Sequence, residues 1–143
     1  MKKLVTIICA TIFFGCSTQR ATKETSFDSI NRILSIEEYE YCYYIKGTNQ
    51  ETQNLVNIIS YKKTYFDKYN LQTPFSSSQA GLKTIIKDNN YTFNLTEMRF
   101  NVSDMEQLGA SVIIENDTIW KGKPTLENRF YKSKNSIGLT ISQ

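Results

Sequence analysis

The chain has 143 residues, of which 40% are hydrophobic, 22% charged and 13% aromatic, which suits one modest core and excludes wholesale disorder. Its net charge of +3 is too small to mark a nucleic-acid binder. It contains no histidine, which removes Ser-His-Asp and Cys-His catalytic arrangements and every histidine-bearing metal site.

In chain order the first element is an apolar run. Lys2 and Lys3 precede Leu4 to Phe14, eleven residues that are almost wholly apolar. At α-helical rise such a run covers roughly 16 Å, about half of a ~30 Å hydrocarbon layer, so it is too short to span and has the length of a secretory h-region. It ends in Phe13-Phe14-Gly15-Cys16. This tetrapeptide resembles the lipobox of bacterial lipoproteins, Gly15 and Cys16 matching the pattern while Phe13 and Phe14 stand where Leu and a small residue are usual. The resemblance implies a diacylglycerol on the Cys16 thiol, removal of residues 1–15 as signal peptide, and acylation of the new amino terminus. Two or three acyl chains hold a protein on a membrane where one chain is marginal. Ser17 stands where enteric lipoproteins carry an inner-membrane retention aspartate. Ser17 to Arg20 also lacks the acidic run of Bacteroidota surface export. By resemblance, the expected location is the outer membrane, on its periplasmic face.

Loss of the signal removes two of the three net positive charges, leaving a near-neutral surface. It also removes Cys9, and lipid occupies Cys16, so Cys42 is the one free thiol of the mature chain and no internal disulfide is expected. Residues 16–27 read as the lipidated cysteine and a polar, flexible tether, and residues 28–143 as one β-rich domain.

Within that domain the spacing of Ile30, Ile33 and Leu34 behind Ser26 or Asp28 predicts a short helix over Ser26 to Leu34. From Ile36 the period is two, placing Tyr39, Tyr41, Tyr43 and Ile45 on one strand face and Glu38, Glu40, Cys42, Tyr44 and Lys46 on the other. Gly47 to Asn54 is a polar turn, and Leu55 to Tyr61 completes a hairpin. Tyr65, Phe66 and Tyr69 suit a loop or a short helix. Pro74 and Ser76 to Ser78 break regular structure, and Leu82 to Lys87 suits a strand. Asp88 to Asn90 is a turn before a strand at Tyr91 to Leu95, which Phe100 to Val102 continues. Ser111 to Glu115, Thr118 to Trp120 and Ile137 to Ile141 are further strands, with a loop over Lys121 to Asn128. The expected fold is all-β, a small antiparallel barrel or sandwich of about six to eight strands preceded by a signal helix and a tether.

The stretches YYIKGTN, LVNIISYKK, DNNYTFNL, ENDTIW and RFYKSKNSIGLTI resemble a group of small uncharacterised exported proteins of the Bacteroidota. Asp28-Ser29-Ile30 and Asp117-Thr118-Ile119 resemble the O-glycosylation acceptor of that phylum, with Ser29 and Thr118 as the acceptors. Asn-x-Ser/Thr triplets at Asn90, Asn94, Asn101 and Asn116 reflect an Asn- and Thr-rich composition.

No residue pattern in the body demands catalysis. Ser60-x-x-Lys63 matches a nucleophile motif, but on a strand these two side chains point to opposite faces. Glu37, Glu38 and Glu40 offer carboxylates, of which Glu38 and Glu40 share a strand face about 7 Å apart. The bland reading is solvated edge-strand acids. No metal-ligand spacing is visible and no cofactor is expected. The aromatics are the more informative set. Tyr39, Tyr41, Tyr43 and Trp120, with Phe93, either form a ligand face or pack as core. Arg129, Lys132 and Lys134 suit lipid headgroups or a solvated loop. The sequence therefore leads us to expect a lipid-anchored, non-enzymatic binding or accessory module of inhibitor, immunity or assembly type, with an envelope protein as partner. The alternative is a glycan- or small-ligand-binding domain.

Overall fold

The computed structural model describes residues 24–76, 78–98, 110–122 and 129–143. The signal, Cys16 and the strand expected at Phe100 to Val102 lie outside the described residues. So does most of the loop expected over Lys121 to Asn128, whose first two residues instead finish a strand.

Five strands close a barrel: β1 (Ser26–Glu38), β2 (Cys42–Asn49), β3 (Leu55–Tyr61), β5 (Asn90–Glu97) and β8 (Phe130–Ser133), in the ring order β1-β2-β3-β8-β5. All neighbours are antiparallel except β3 and β8, which run parallel, so the barrel is mixed where a purely antiparallel one was expected. A ring in which the third strand meets the fifth in parallel and the first meets the fourth has the connectivity of OB-type barrels. A short helix, α1 (Lys63–Lys68), follows β3. Three short strands, β4 (Leu82–Thr84), β9 (Ser136–Ile137) and β10 (Thr140–Ser142), form a small sheet, and β6 (Ala110–Ile114) pairs with β7 (Asp117–Gly122) as a hairpin.

The helix expected over Ser26 to Leu34 is instead the first half of β1. The 3.6-like spacing of its apolar residues is outweighed by tertiary pairing on both edges. Ser26 to Arg32 pairs with β5 and Asn31 to Glu38 pairs with β2. The register shifts between Ile33 and Ser35, and such bulges bend a strand as it passes from one neighbour to the next. The inward side of this stretch carries Ser29, Asn31 and Ile33, all buried, so two polar residues hid its true period of two. Gly47, expected to open a turn, lies buried within β2 opposite Ile33 and Val56, and the turn begins at Gln50. The single strand expected at Ile137 to Ile141 is two, because Gly138 takes φ +57° and reverses the chain between β9 and β10.

The described residues form two cores. Inside the barrel, Ile33, Ile45, Ile58, Phe93 and Leu95 are fully buried, joined by Val56, Tyr91, Ile85 just after β4 and Ile141 of β10. On the outer side of β2, β3 and β8, Cys42, Tyr44, Ile59 and Phe130 are covered by Val112, Ile114 and Ile119 of the β6–β7 hairpin. Complete burial of an Ile, Leu or Phe side chain stabilises a fold by about 1.5–3 kcal/mol. Both faces of β2 and β3 therefore contribute, which explains their near-continuous apolar and aromatic composition.

Candidate functional site: the open end of the barrel

The two ends of the barrel are finished differently. At one end β1, β2, β3, β5 and β8 present Ile36, Tyr43, Ser60, Tyr91 and Ser133, and the β4–β10–β9 sheet lies against them. Ser60 Oγ is fully buried, lies 2.7 Å from Ser136 Oγ and donates to the Gly138 carbonyl at 2.6 Å. The Tyr91 hydroxyl donates to the Thr84 carbonyl and accepts the Ile86 amide. Beside this cap, Lys62 lies 4.7 Å above the Tyr43 ring and 2.6 Å from Glu38. The lysine hydrogen bond and that from the Tyr43 hydroxyl hold the Glu38 carboxyl below its usual range.

The opposite end is open. A cleft of about 590 Å³ is lined by Phe27, Ser29, Asn49, Leu55, Leu95, Arg129, Tyr131 and neighbouring residues. Its floor is an ordered polar network. Asn49 Nδ2 donates to Ser29 Oγ at 2.7 Å, and Ser29 Oγ donates to Asn31 Oδ1 at 3.2 Å. Asn31 Nδ2 returns a bond to the Ser29 carbonyl. Asn49 Oδ1 accepts the amides of Glu51 and Thr52, an Asx turn that shapes the β2–β3 loop at the rim. The rim is apolar. The Phe27 ring meets Tyr131 edge-on at 5.6 Å and is 44% exposed, while Leu55 is 61% exposed. Arg129 stands 3.7 Å from Glu97, its carbonyl held by Asn57 Nδ2, whose Oδ1 in turn accepts from the Tyr44 hydroxyl.

A second cleft, of about 450 Å³, adjoins the rim on the far side of Phe27 and is lined also by Glu24, Thr25, Thr96, Glu97, Met98 and Lys132. Thr96 Oγ1, on a residue only 3% exposed, is the one deeply buried side-chain polar atom without a hydrogen-bond partner among the described residues. Lys132 is its register neighbour on β8. The carboxylates here are engaged, Glu24 with Lys134 and Glu97 with Arg129, whereas Lys132 joins no ion pair among the described residues.

Of the two readings of the aromatics, packing as core is the one the structure shows. β1 ends at Glu38, so Tyr39 and Tyr41 lie in the connection to β2 rather than on a strand with Tyr43. Tyr39 and Trp120 pack on the outer core, Tyr39 donating to the Ile119 carbonyl and Trp120 lying 5.2 Å from Phe130. The indole folds over Gly122, where a Cβ would stand 2.6 Å from it. Tyr41 is capped by Lys68 at 4.4 Å, Tyr43 packs on the barrel core, and Phe93 is wholly inside it. Alternation in the sequence mistook a turn for a strand, and the rings divided between two cores.

Other predicted positions are equally dispersed. Cys42 is fully buried and burial pushes its thiol up to about 11, far from nucleophilic. Ser60 belongs to the cap, and Lys63 pairs with Asp67 on α1. Glu37 pairs with Lys46 and Glu38 with Lys62, while Glu40 sits in the turn, so no carboxylate pair forms on one strand face. Ser29 is buried in the mouth floor and Thr118 is exposed on β7, which leaves only the second open to a modifying enzyme in the folded domain. Lys132 falls on β8, while Arg129 and Lys134 lie in the non-strand segments on either side of it. Among the described residues no cluster of His, Cys, Asp and Glu is placed to hold a metal ion, and no helix is long and apolar enough to cross a membrane.

The floor and rim of the open end escaped sequence reasoning, because their residues come from four separate segments. Only the alternation Phe130, Tyr131, Lys132, Ser133 offered a signal, that of a missed strand. In OB-type barrels the outer face of the second and third strands is the customary binding surface. Here the β6–β7 hairpin covers that face, while concavities remain at the open end and, in a cleft of about 640 Å³ lined by Pro74, Phe75, Leu82, Ile137 and Thr140, beside the capping sheet. No family model matches this chain, and neither the curated proteins nor the solved structures contain a match to it.

Proposed function

We propose that this protein is a lipid-anchored envelope module that acts by binding, with an accessory role of inhibitor, immunity or assembly type. The observation that carries the reading is the open barrel end: a concavity with a hydrogen-bonded polar floor and with Phe27 and Leu55 exposed at its rim. Phe27 and Leu55 line this cleft and are exposed, so a bound molecule would cover apolar surface there. The Cys16 motif supports attachment at the outer membrane, with the domain in the periplasm.

A second reading, a glycan- or small-ligand-binding domain, is favoured by the lining itself. Amides at Asn49, Gln53 and Asn54 beside the rings of Phe27 and Tyr131 suit a hydroxyl-rich ligand. Cross-linked co-purification of the lipidated protein from its own envelope, compared with Leu55→Asp, separates the two. A stoichiometric protein recovered with the wild type and lost with the variant supports the accessory role. An acylated protein without a partner, whose thermal stability rises with envelope oligosaccharides, supports the second.

A further inference from the structure

We infer that the cleft beside the capping sheet is a second binding site and takes an extended polypeptide segment with apolar side chains at alternate positions. The inference goes beyond the reading of the mouth and depends on neither the mouth nor the acyl anchor. A protein held at the open end leaves this face free.

The first observation is how the cleft is walled. In the small sheet Ile141 points into the barrel core. Its cross-strand partners are Lys83 and Ser136, so Leu82, Ile137 and Thr140 stand on the opposite, outer face. That face floors the cleft of about 640 Å³. The facing wall is the segment that follows α1, in which Pro74 is exposed and Phe75 is buried. A smaller cleft of about 320 Å³ shares Gln72 and Pro74 with the first and is bounded by Tyr61, Tyr65, Phe66 and Leu71. Tyr65 stacks on Tyr61 at 4.1 Å and Phe66 meets both rings edge-on, so this second wall is held by ring packing.

The second observation is the main chain between the two clefts. The Leu71 amide donates to the Phe66 carbonyl, and the Ser76 carbonyl accepts the Gln79 amide. Between these bonds, no main-chain group of Gln72, Thr73, Pro74 or Phe75 has a hydrogen-bond partner among the described residues. Thr73 precedes Pro74, a position biased to extended backbone. An extended polypeptide laid along such a stretch supplies the missing N–H and C=O partners, and its side chains at i and i+2 fall on one face about 7 Å apart. The two apolar-walled clefts, divided by Gln72 and Pro74, suit such a pair of side chains. No acidic side chain lines either cleft and Gln72 is the one side-chain amide in their lining, so the lining offers a hydroxyl-rich ligand few planar polar partners.

Full-length protein purified in detergent, panned against a library of random linear heptapeptides, tests this. Enriched sequences are remade as fluorescent peptides and their binding is followed by anisotropy. They are expected to carry apolar residues two positions apart. Thr140→Arg, which fills the cleft from its floor, is expected to weaken binding at least about tenfold, and so is N-methylation of alternate peptide amides. Leu82→Arg repeats the block from β4, and circular dichroism shows whether each variant is folded. The methylated peptides probe the wild-type chain and need neither variant. Failure to enrich any peptide overturns the inference. Binding that survives both substitutions, or that ignores N-methylation, overturns it too. A rise in melting temperature with N-acetylglucosamine oligomers, lost in both variants, assigns the cleft to glycan and also overturns it. Failed co-purification of an envelope partner with peptide binding intact removes the reading of the mouth and leaves this site standing.

Discussion

The capped and open ends of the barrel are made from the same five strands, yet they solve the burial of polar groups in different ways. At the cap, Ser60 is sealed by a second sheet and its hydroxyl has only protein partners, Ser136 and Gly138. At the mouth, Ser29 holds a similar position on β1, but its network reaches the β2–β3 loop and ends at an open cleft. At the sealed end the hydroxyls of Ser60 and Tyr91 are already satisfied by protein partners. An open end retains unsatisfied surface, such as Phe27 and Leu55, that another molecule can cover. The difference between them is the reason the mouth, rather than the aromatic-rich β2–β3 face, is the functional candidate.

The strongest way to break this comparison is at the barrel centre, which both ends share. Phe93→Ala is expected to cost about 3–5 kcal/mol in urea denaturation, since the ring is completely enclosed and its loss leaves a cavity. A cost below about 1 kcal/mol would mean that the interior is not packed as described. The sharper test is one substitution made at both ends. Ser60→Ala is expected to cost about 1–3 kcal/mol, because Ser136 Oγ and the Gly138 carbonyl lose a buried partner that water cannot replace. Ser29→Ala is expected to cost about 0.5–1.5 kcal/mol, since water entering the mouth can serve Asn49 and Asn31. Equal costs would erase the distinction between sealed and open.

Alkaline titration probes the outer core against both ends. Burial raises the Cys42 thiol from an ordinary 9.0 to about 11, and the Tyr44 hydroxyl from 10.0 to about 12. The unfolded chain thus releases these protons at lower pH than the folded one. The stabilisation is intact below pH 9 and is lost as pH rises toward 11 and 12. The urea midpoint should fall over that window, and Cys42→Ala should flatten its first part. Native protein should resist thiol reagents at pH 8 and react on unfolding. The smallest effect on stability belongs to the rim. Leu55→Ser should change the unfolding free energy by less than about 0.5 kcal/mol, because the side chain is mostly in water already, and still reduce whatever the mouth binds. A large loss of stability there would show that the rim is structural.

Much of the strand framework was legible. The β2–β3 hairpin, the strand at Tyr91, the β6–β7 hairpin and the breaks at Pro74 and Asp88 follow from alternation and turn chemistry, which are local properties. Asp88 takes φ +65°, as a turn residue of its type can. The failures share a cause. Ser26 to Leu34 looks helical in sequence because inward-facing Ser29 and Asn31 are polar, and their satisfaction depends on Asn49, some twenty residues away in the chain. Tyr39 and Tyr41 were placed on a strand because alternation alone does not reveal where the chain turns. The missed β8 is short, and it becomes a strand by pairing with β3 and β5 on its two sides.

The amino-acid sequence alone determined the class of the fold and the exclusion of histidine chemistry, and it carries the lipobox-like motif on which the proposed anchor rests, since these depend on composition and on near neighbours. Only the tertiary structure decided that the ring closes through one parallel pair, that the aromatics divide between two cores, and that one end of the barrel stays open. Those outcomes depend on which distant segments meet. That is settled by the balance of burial and hydrogen bonding over the whole domain, and no local window of residues contains it.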